Sequence, residues 1–111
     1  MSPAELDDFR QRLLRLRAEL EATEEASRAA AQIVELDQAG IGRVSRMDAM
    51  QTQLMALESE RRRQLQLQRI ESALRRIADG SYGRCTACNE DIHPLRLQAD
   101  PTFLRCVRCA R

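Results

Sequence analysis

Two short cysteine pairs limit this chain more than any other feature. Cys85-x-x-Cys88 and Cys106-x-x-Cys109 hold all four cysteines of a 111-residue chain and stand seventeen residues apart. Each Cys-x-x-Cys turn presents two thiolates on one side of a tight bend, and the segment between must fold back for the pairs to meet. That spacing is the sequence form of a tetrahedral four-cysteine zinc ribbon or knuckle. About thirty residues bury too little apolar surface to order themselves, so a structural metal supplies the missing stability. In small zinc domains that contribution is on the order of 10–16 kcal/mol. Two disulfides or a redox pair would use the same residues, but no secretory signal precedes the chain, which favours reduced thiols and a cytoplasmic location. His93 lies between the pairs as a rival ligand. Four thiolates already close a tetrahedral site, so His93 is expected at the surface or behind a ligand, and the single zinc is structural, with no open position for water.

The rest of the chain has the composition of long helices. There are three aromatic residues, Phe9, Tyr82 and Phe103, while charged residues make up 32%. Leu, Ala, Arg, Glu and Gln dominate, as in helical rods rather than globular cores. Eighteen basic residues, all arginine, face seventeen acidic ones for a net charge of +1. Such a balance argues against a protein whose main task is neutralising DNA phosphates. No apolar run approaches a membrane span.

Ser2-Pro3-Ala4-Glu5 reads as a helix start, with Ser2 as cap, Pro3 in the first helical position and Glu5 completing a capping box. Leu6, Phe9, Leu13, Leu16 and Leu20 then recur at three- and four-residue steps, and Thr23, Ser27, Ala30 and Val34 continue the stripe. The pattern predicts a helix over residues 3–37, about 50 Å long at the α-helical rise. Gly40 and Gly42 mark a turn. Ser45-Arg46-Met47-Asp48 offers a second capping box, predicting a helix from about Met47 to Asp79 with Gly80 as its left-handed stop. Met47, Met50, Leu54 and Leu57 form its first stripe, and Leu67, Ile70, Leu74 and Ile77 its last. A polar run, Glu58 to Gln64, lies between them, where the register must slip.

Two long helices joined by a short turn pack antiparallel. With the turn centred near Ile41, Leu6 pairs near Ile77, Phe9 near Leu74, Leu13 near Ile70 and Leu16 near Leu67. Glu19 and Glu21 then face Arg61 to Arg63. The expected fold is all-α: an antiparallel two-helix coiled-coil hairpin over residues 1–80, its tip near 37–48, followed by a small four-cysteine zinc-finger module over 81–111 that packs on the hairpin base. No Gly-rich phosphate loop, second metal or nucleophile set points to an enzyme. A hairpin of this kind carries its tip far from its anchor. Asp37, Arg43, Arg46, Asp48 and Ala49 are the candidate tip residues. Asp48 has a plain reading as a helix cap and dipole partner. It has a functional one as an acidic probe toward a cationic or Mg²⁺-bound site in a partner.

The stretch from Tyr82 to Cys109 resembles the C4-type zinc finger of the DksA/TraR family of bacterial transcription regulators. That pattern places Ile four residues after the first pair, Arg four further and Pro five further, before the second pair. Ile92, Arg96 and Pro101 occupy those positions, and Thr86 stands where Asp, Glu or Ser is usual. The resemblance implies a monomer that binds RNA polymerase directly, without sequence-specific DNA contacts, and inserts its coiled-coil tip into the secondary channel to modulate initiation. It also names guanosine tetraphosphate, bound jointly with polymerase, as a candidate ligand. The family tip reads Asp-x-x-Asp-x-Ala. Here Ser45 replaces the first Asp, Asp48 is the candidate equivalent of the second, and Ala49 directly follows it. Two other readings use the same residues. One is a nucleic-acid-binding finger working through Arg84, Arg96, Arg105, Arg108 and Arg111; the other is a structural or redox-sensing coiled-coil adaptor.

Overall fold

Long runs of good helix formers, interrupted only around the two glycines, give the chain two 36-residue helices, α1 (Pro3–Gln38) and α2 (Val44–Asp79). A short third helix, α3 (Pro94–Ala99), lies in the cysteine module. The computed structural model describes the backbone of residues 1–38 and 44–110, and side-chain environments for 1–30 and 47–110. Gly40, Ile41, Gly42, Arg43 and Arg111 lie outside the described residues, as do the side chains of Asp37 and Arg46.

The start of α1 is the expected one. Ser2 Oγ accepts the Glu5 N–H at 3.2 Å, satisfying one of the donors that the first turn leaves unpaired. α2 closes at Gly80, whose φ of 83° is open to glycine at little cost. Beyond it the Ser81 N–H donates to the Arg76 carbonyl at 2.9 Å, the long bond of a Schellman closure. Asp79 reinforces the exit by accepting from the Ser81 N–H at 2.9 Å and from its hydroxyl. Those bonds, the hydroxyl contact first, hold the Asp79 carboxyl below its usual range.

The start of α2 differs from the expectation. The helix already includes Val44, so Ser45 and Asp48 are interior positions and the helix does not begin at the capping box read there. Capping needs the serine one step outside the first helical residue, and the helical path runs back past it toward the glycines. Asp48 lies beyond the first turn, which holds no acidic residue, so the dipole gives it little reason to be there.

The described chain falls into two compact units. One comprises Met1–Arg17 with Leu67–Arg111, the other Ala18–Gln66. In the first, the helix stripes pack as expected. Leu13 and Ile70 are fully buried, and Leu6, Phe9, Leu16, Leu67, Leu74 and Ile77 are half-buried. Ala73, on the same face as Ile70 and Ile77, joins them at 0% exposure. Each large side chain buried in this way contributes about 1.5–3 kcal/mol. The cysteine module closes this core. The Phe9 and Tyr82 rings lie 5.7 Å apart, Tyr82 Oη donates to the Pro101 carbonyl at 2.7 Å, and Arg12 Nη1 donates to the Gln98 carbonyl at 2.6 Å.

The second unit departs from the expected packing in two ways. Glu19 and Glu21 do not meet Arg61 to Arg63. Instead Gln64 Nε2 donates to Glu24 Oε1 at 3.0 Å, and Arg61 pairs with Glu58 on its own helix at 3.0 Å. In the first unit, Arg17 likewise reaches Glu71 at 2.9 Å. Both interhelical polar pairs sit six residues beyond the register set by a turn centred on Ile41. Side chains lean toward the N-terminus of their own helix, so in an antiparallel pair each leans past its backbone partner and long polar groups meet further along. The second departure concerns Met47, Met50, Leu54 and Leu57, which are exposed, whereas Ala49, Ser59 and Arg63 on the same helix are half-buried. The face of α2 turned inward there is small and polar, and the apolar stripe points away.

Candidate metal centre

The four cysteines come together through two tight turns. In the first, the Cys85 N–H donates to the Glu90 carbonyl at 2.8 Å and the Asn89 N–H to the Cys85 carbonyl at 2.9 Å. Asn89 makes the bend with a φ of 63°, a left-handed conformation that Asn tolerates better than most residues. The loop is closed behind it by an isolated antiparallel bridge between Arg84 and Asp91, and the Ile92 N–H donates to the Gly83 carbonyl at 2.7 Å. In the second turn, the Cys109 and Ala110 N–H groups both donate to the Cys106 carbonyl, at 3.1 and 3.0 Å. The Thr86 N–H donates across to the Leu104 carbonyl at 2.9 Å and ties the turns together. On the outside, Arg108 bridges to Glu90 at 2.6 Å.

These turns leave the Sγ atoms of Cys85, Cys88, Cys106 and Cys109 all within 4.8 Å of one another, and Cys88 and Cys106 are 3.8 Å apart. A tetrahedral ion with Zn–S bonds of about 2.3 Å requires sulfurs about 3.8 Å apart, so the set fits zinc. No fifth ligand group belongs to the cluster among the described residues. The electrostatics agree. The Cys106 N–H is the main influence lowering the Cys85 thiol to about 6, with the N–H groups of Cys88 and Ala87 adding to it. The Cys109 N–H lowers Cys106 in the same way. Cys109 is pushed up to about 12, first by Cys106 and then by Cys85 and Cys88. Four crowded thiols cannot all ionise alone, and a divalent cation removes the conflict. One structural zinc on these four cysteines is the cofactor.

His93 stands apart from the sulfurs. Its Nδ1 accepts the Leu95 N–H at 3.1 Å, capping α3, with Pro94 next to it at the helix start. The cap role was not legible in advance, although a polar residue directly before Pro is a recognisable helix start. Arg96 also has a positioning role that counting charges missed. Its guanidinium lies 4.0 Å from the centre of the Phe103 ring, and Nε donates to the Arg105 carbonyl at 2.9 Å, directly before Cys106. The stacked guanidinium thus holds the segment entering the second turn. Ile92 and Leu97 are buried in the same module at 3% and 0% exposure.

The candidate tip residues are only partly described. Asp48 is exposed and Ala49 half-buried on α2. Among the described residues, Asp48 has no hydrogen-bond or ion-pair partner. Asp37 and Arg46 belong to α1 and α2, and Arg43 lies outside the described residues.

Residues 80–111 match the model of the prokaryotic dksA/traR C4-type zinc finger. The chain is 28% identical over 102 residues to the RNA polymerase-binding transcription factor DksA of Caulobacter vibrioides, a match that spans 92% of this chain and 70% of that relative. The structure of transcription factor DksA2 from Pseudomonas aeruginosa superposes with a TM-score of 0.87 at 29% identity, covering 98% of this chain and 82% of the other. A more distant fold likeness, at TM-score 0.62 and 22% identity, is to the RNA polymerase binding protein Dks of Chlamydia trachomatis, across 99% of this chain and 87% of that one. These likenesses extend from the cysteine turns through both long helices, and residues 80–111 carry a zinc finger of the dksA/traR C4 type.

Proposed function

We propose that this protein binds bacterial RNA polymerase directly and regulates transcription initiation from the secondary channel. The hairpin end that carries Asp48 would enter the channel. The observation that carries this reading is the likeness to DksA2, which embraces hairpin and cysteine module as one continuous match. Asp48 is the residue expected to act. It is exposed, interior to α2 and without a capping task, so the chemistry left to its carboxylate is attraction to a cationic or Mg²⁺-bound group in the partner. Asp37, Arg43, Arg46 and Ala49 complete the proposed contact region. The same reading places the protein in the cytoplasm, acting as a monomer, with guanosine tetraphosphate as a ligand shared with polymerase.

The nucleic-acid reading is weakened by what the arginines do. Arg96 is engaged by Phe103 and the Arg105 carbonyl, and Arg108 by Glu90. A steep loss of DNA affinity with salt would be needed to revive it.

The test is competition for purified polymerase between the zinc-loaded protein and an established secondary-channel factor, paired with in vitro transcription. Displaceable binding, with Asp48→Asn retaining affinity but losing its effect on initiation, is the expected result. No binding at micromolar polymerase would overturn the reading.

A further inference from the structure

We propose that Glu24, Ser59 and Arg63 form a polar layer in the helix seam that lets the hairpin beyond it open on its own. The layers from Leu6 to Leu16 and from Leu67 to Ile77, with the cysteine module, stay folded during that opening. The device belongs to the free protein and does not depend on which partner binds.

The helix steps locate the layer. Leu13 and Ile70 are fully buried, and Leu16 and Leu67 follow them half-buried. Continued seven residues from Leu13 along α1 and seven back from Ile70 along α2, the same steps bring Leu20 level with Arg63, and the next brings Glu24 level with Ser59. An antiparallel pair is held by apolar side chains at these seam positions, and a polar group there lowers stability. In the unit Ala18–Gln66 no described side chain is fully buried. Leu20, Glu24, Ala49, Ser59 and Arg63 are its half-buried residues, and Leu20 is the one large aliphatic among them.

The polar groups of the layer are unevenly matched. The Glu24 side chain is 14% exposed, and its Oε1 accepts from Gln64 Nε2 at 3.0 Å and from Arg28 Nη2 at 3.1 Å. Of these, the Gln64 bond alone crosses between helices. Arg63 Nε is shielded and has no hydrogen-bond partner, the one such side-chain atom among the described residues. A shielded donor without an acceptor is satisfied by water once the helices part, so its desolvation penalty is relieved by opening. One cross-helix bond and one large aliphatic side chain oppose that release. Regions with few buried apolar contacts open at lower free energy than the global fold, and such openings are the populations that a partner can shift.

Hydrogen exchange of the full-length, zinc-loaded protein over a urea series, read by mass spectrometry of its peptides, tests this. Corrected for intrinsic rates, amides of residues 24–30 and 47–63 are expected to exchange at least tenfold faster than those of 9–16 and 67–77. They are also expected to depend more weakly on urea, because a partial opening exposes less surface. One rate and one urea dependence for both sets would mean a single cooperative opening and would overturn the proposal. The double variant Glu24→Leu, Arg63→Leu is expected to slow the outer amides at least tenfold. The control Glu25→Leu, Arg62→Leu makes the same change of composition at neighbouring exposed positions and is expected to leave them within twofold of wild type. Arg63→Met alone removes the unpaired Nε while leaving the Glu24–Gln64 bond, and is expected to slow them at least threefold with unchanged zinc content. Outer rates that stay within twofold of wild type in both layer variants, or that the control slows equally, would overturn the assignment to this layer.

Discussion

Tyr82 shows how one side chain ties the metal module to the helices. It is 7% exposed, stacks near Phe9 and donates to the Pro101 carbonyl. Burial pushes its phenol up to about 12, with the Asp100 charge adding to the rise and Arg12 opposing it. The fold therefore favours the neutral phenol. Its contribution is complete below the unfolded value near pH 10 and is lost as pH rises toward 12. Because it is the single tyrosine of the chain, the ultraviolet absorbance of tyrosinate reports its ionisation without overlap, and that curve is expected to coincide with an alkaline fall in melting temperature. Tyr82→Phe is expected to lower stability by about 1 kcal/mol at neutral pH through the lost hydrogen bond, and to remove the alkaline fall that belongs to the phenol. The cysteines are less forgiving. Cys106→Ser leaves three thiolates around an ion that needs four, so metal analysis is expected to find no bound zinc, and melting to lose the transition of the module.

At the scale of elements, the helix ends behave differently from one another for local reasons. Gly80 sits at φ 83° with open space where a Cβ would go, so Gly80→Ala costs backbone strain alone, about 1–2 kcal/mol. Thermal or denaturant unfolding measures it, and Gly80→Asn is expected to recover part of the loss because Asn tolerates the left-handed region. At the other end of α2, Asp48 is neither cap nor first-turn acid. Asp48→Asn is therefore expected to leave stability within about 0.5 kcal/mol of the parent. A larger loss would mean that the carboxylate has a structural task. The six-residue advance of the polar pairs Arg17–Glu71 and Glu24–Gln64 belongs to this scale as well. Backbone register and side-chain register differ in an antiparallel pair because each side chain leans toward the start of its own helix.

For the molecule as a whole, burial is uneven. Every buried residue among those described lies in the unit formed by Met1–Arg17 and Leu67–Arg111. Zinc is the cross-link that orders the part of that unit beyond Gly80, where little apolar surface is available. Chelation under reducing conditions is expected to expose the Thr86, Ile92 and Cys109 amides to rapid hydrogen exchange, and to lower the Tyr82 phenol toward its ordinary value as Pro101 and Phe9 release it. Retained protection at those amides after zinc loss would show that the apolar contacts suffice alone.

The sequence by itself determined the local features. Cysteine spacing named the ligands, the Ser2-Pro3 start and Gly80 stop bounded the helices, and the apolar steps from Leu6 to Leu16 and Leu67 to Ile77 identified the sheltered faces. These are short-range preferences, decided within a turn or two of chain. Only the tertiary structure decided which face of α2 turns inward near Ala49, which acidic residue meets α2, and that Arg96 and His93 brace the module. Packing in that half of the hairpin involves small and polar residues, so no hydrophobic pattern marks the inward side. An arginine or histidine reads as a charge or a ligand until its neighbours in space are known.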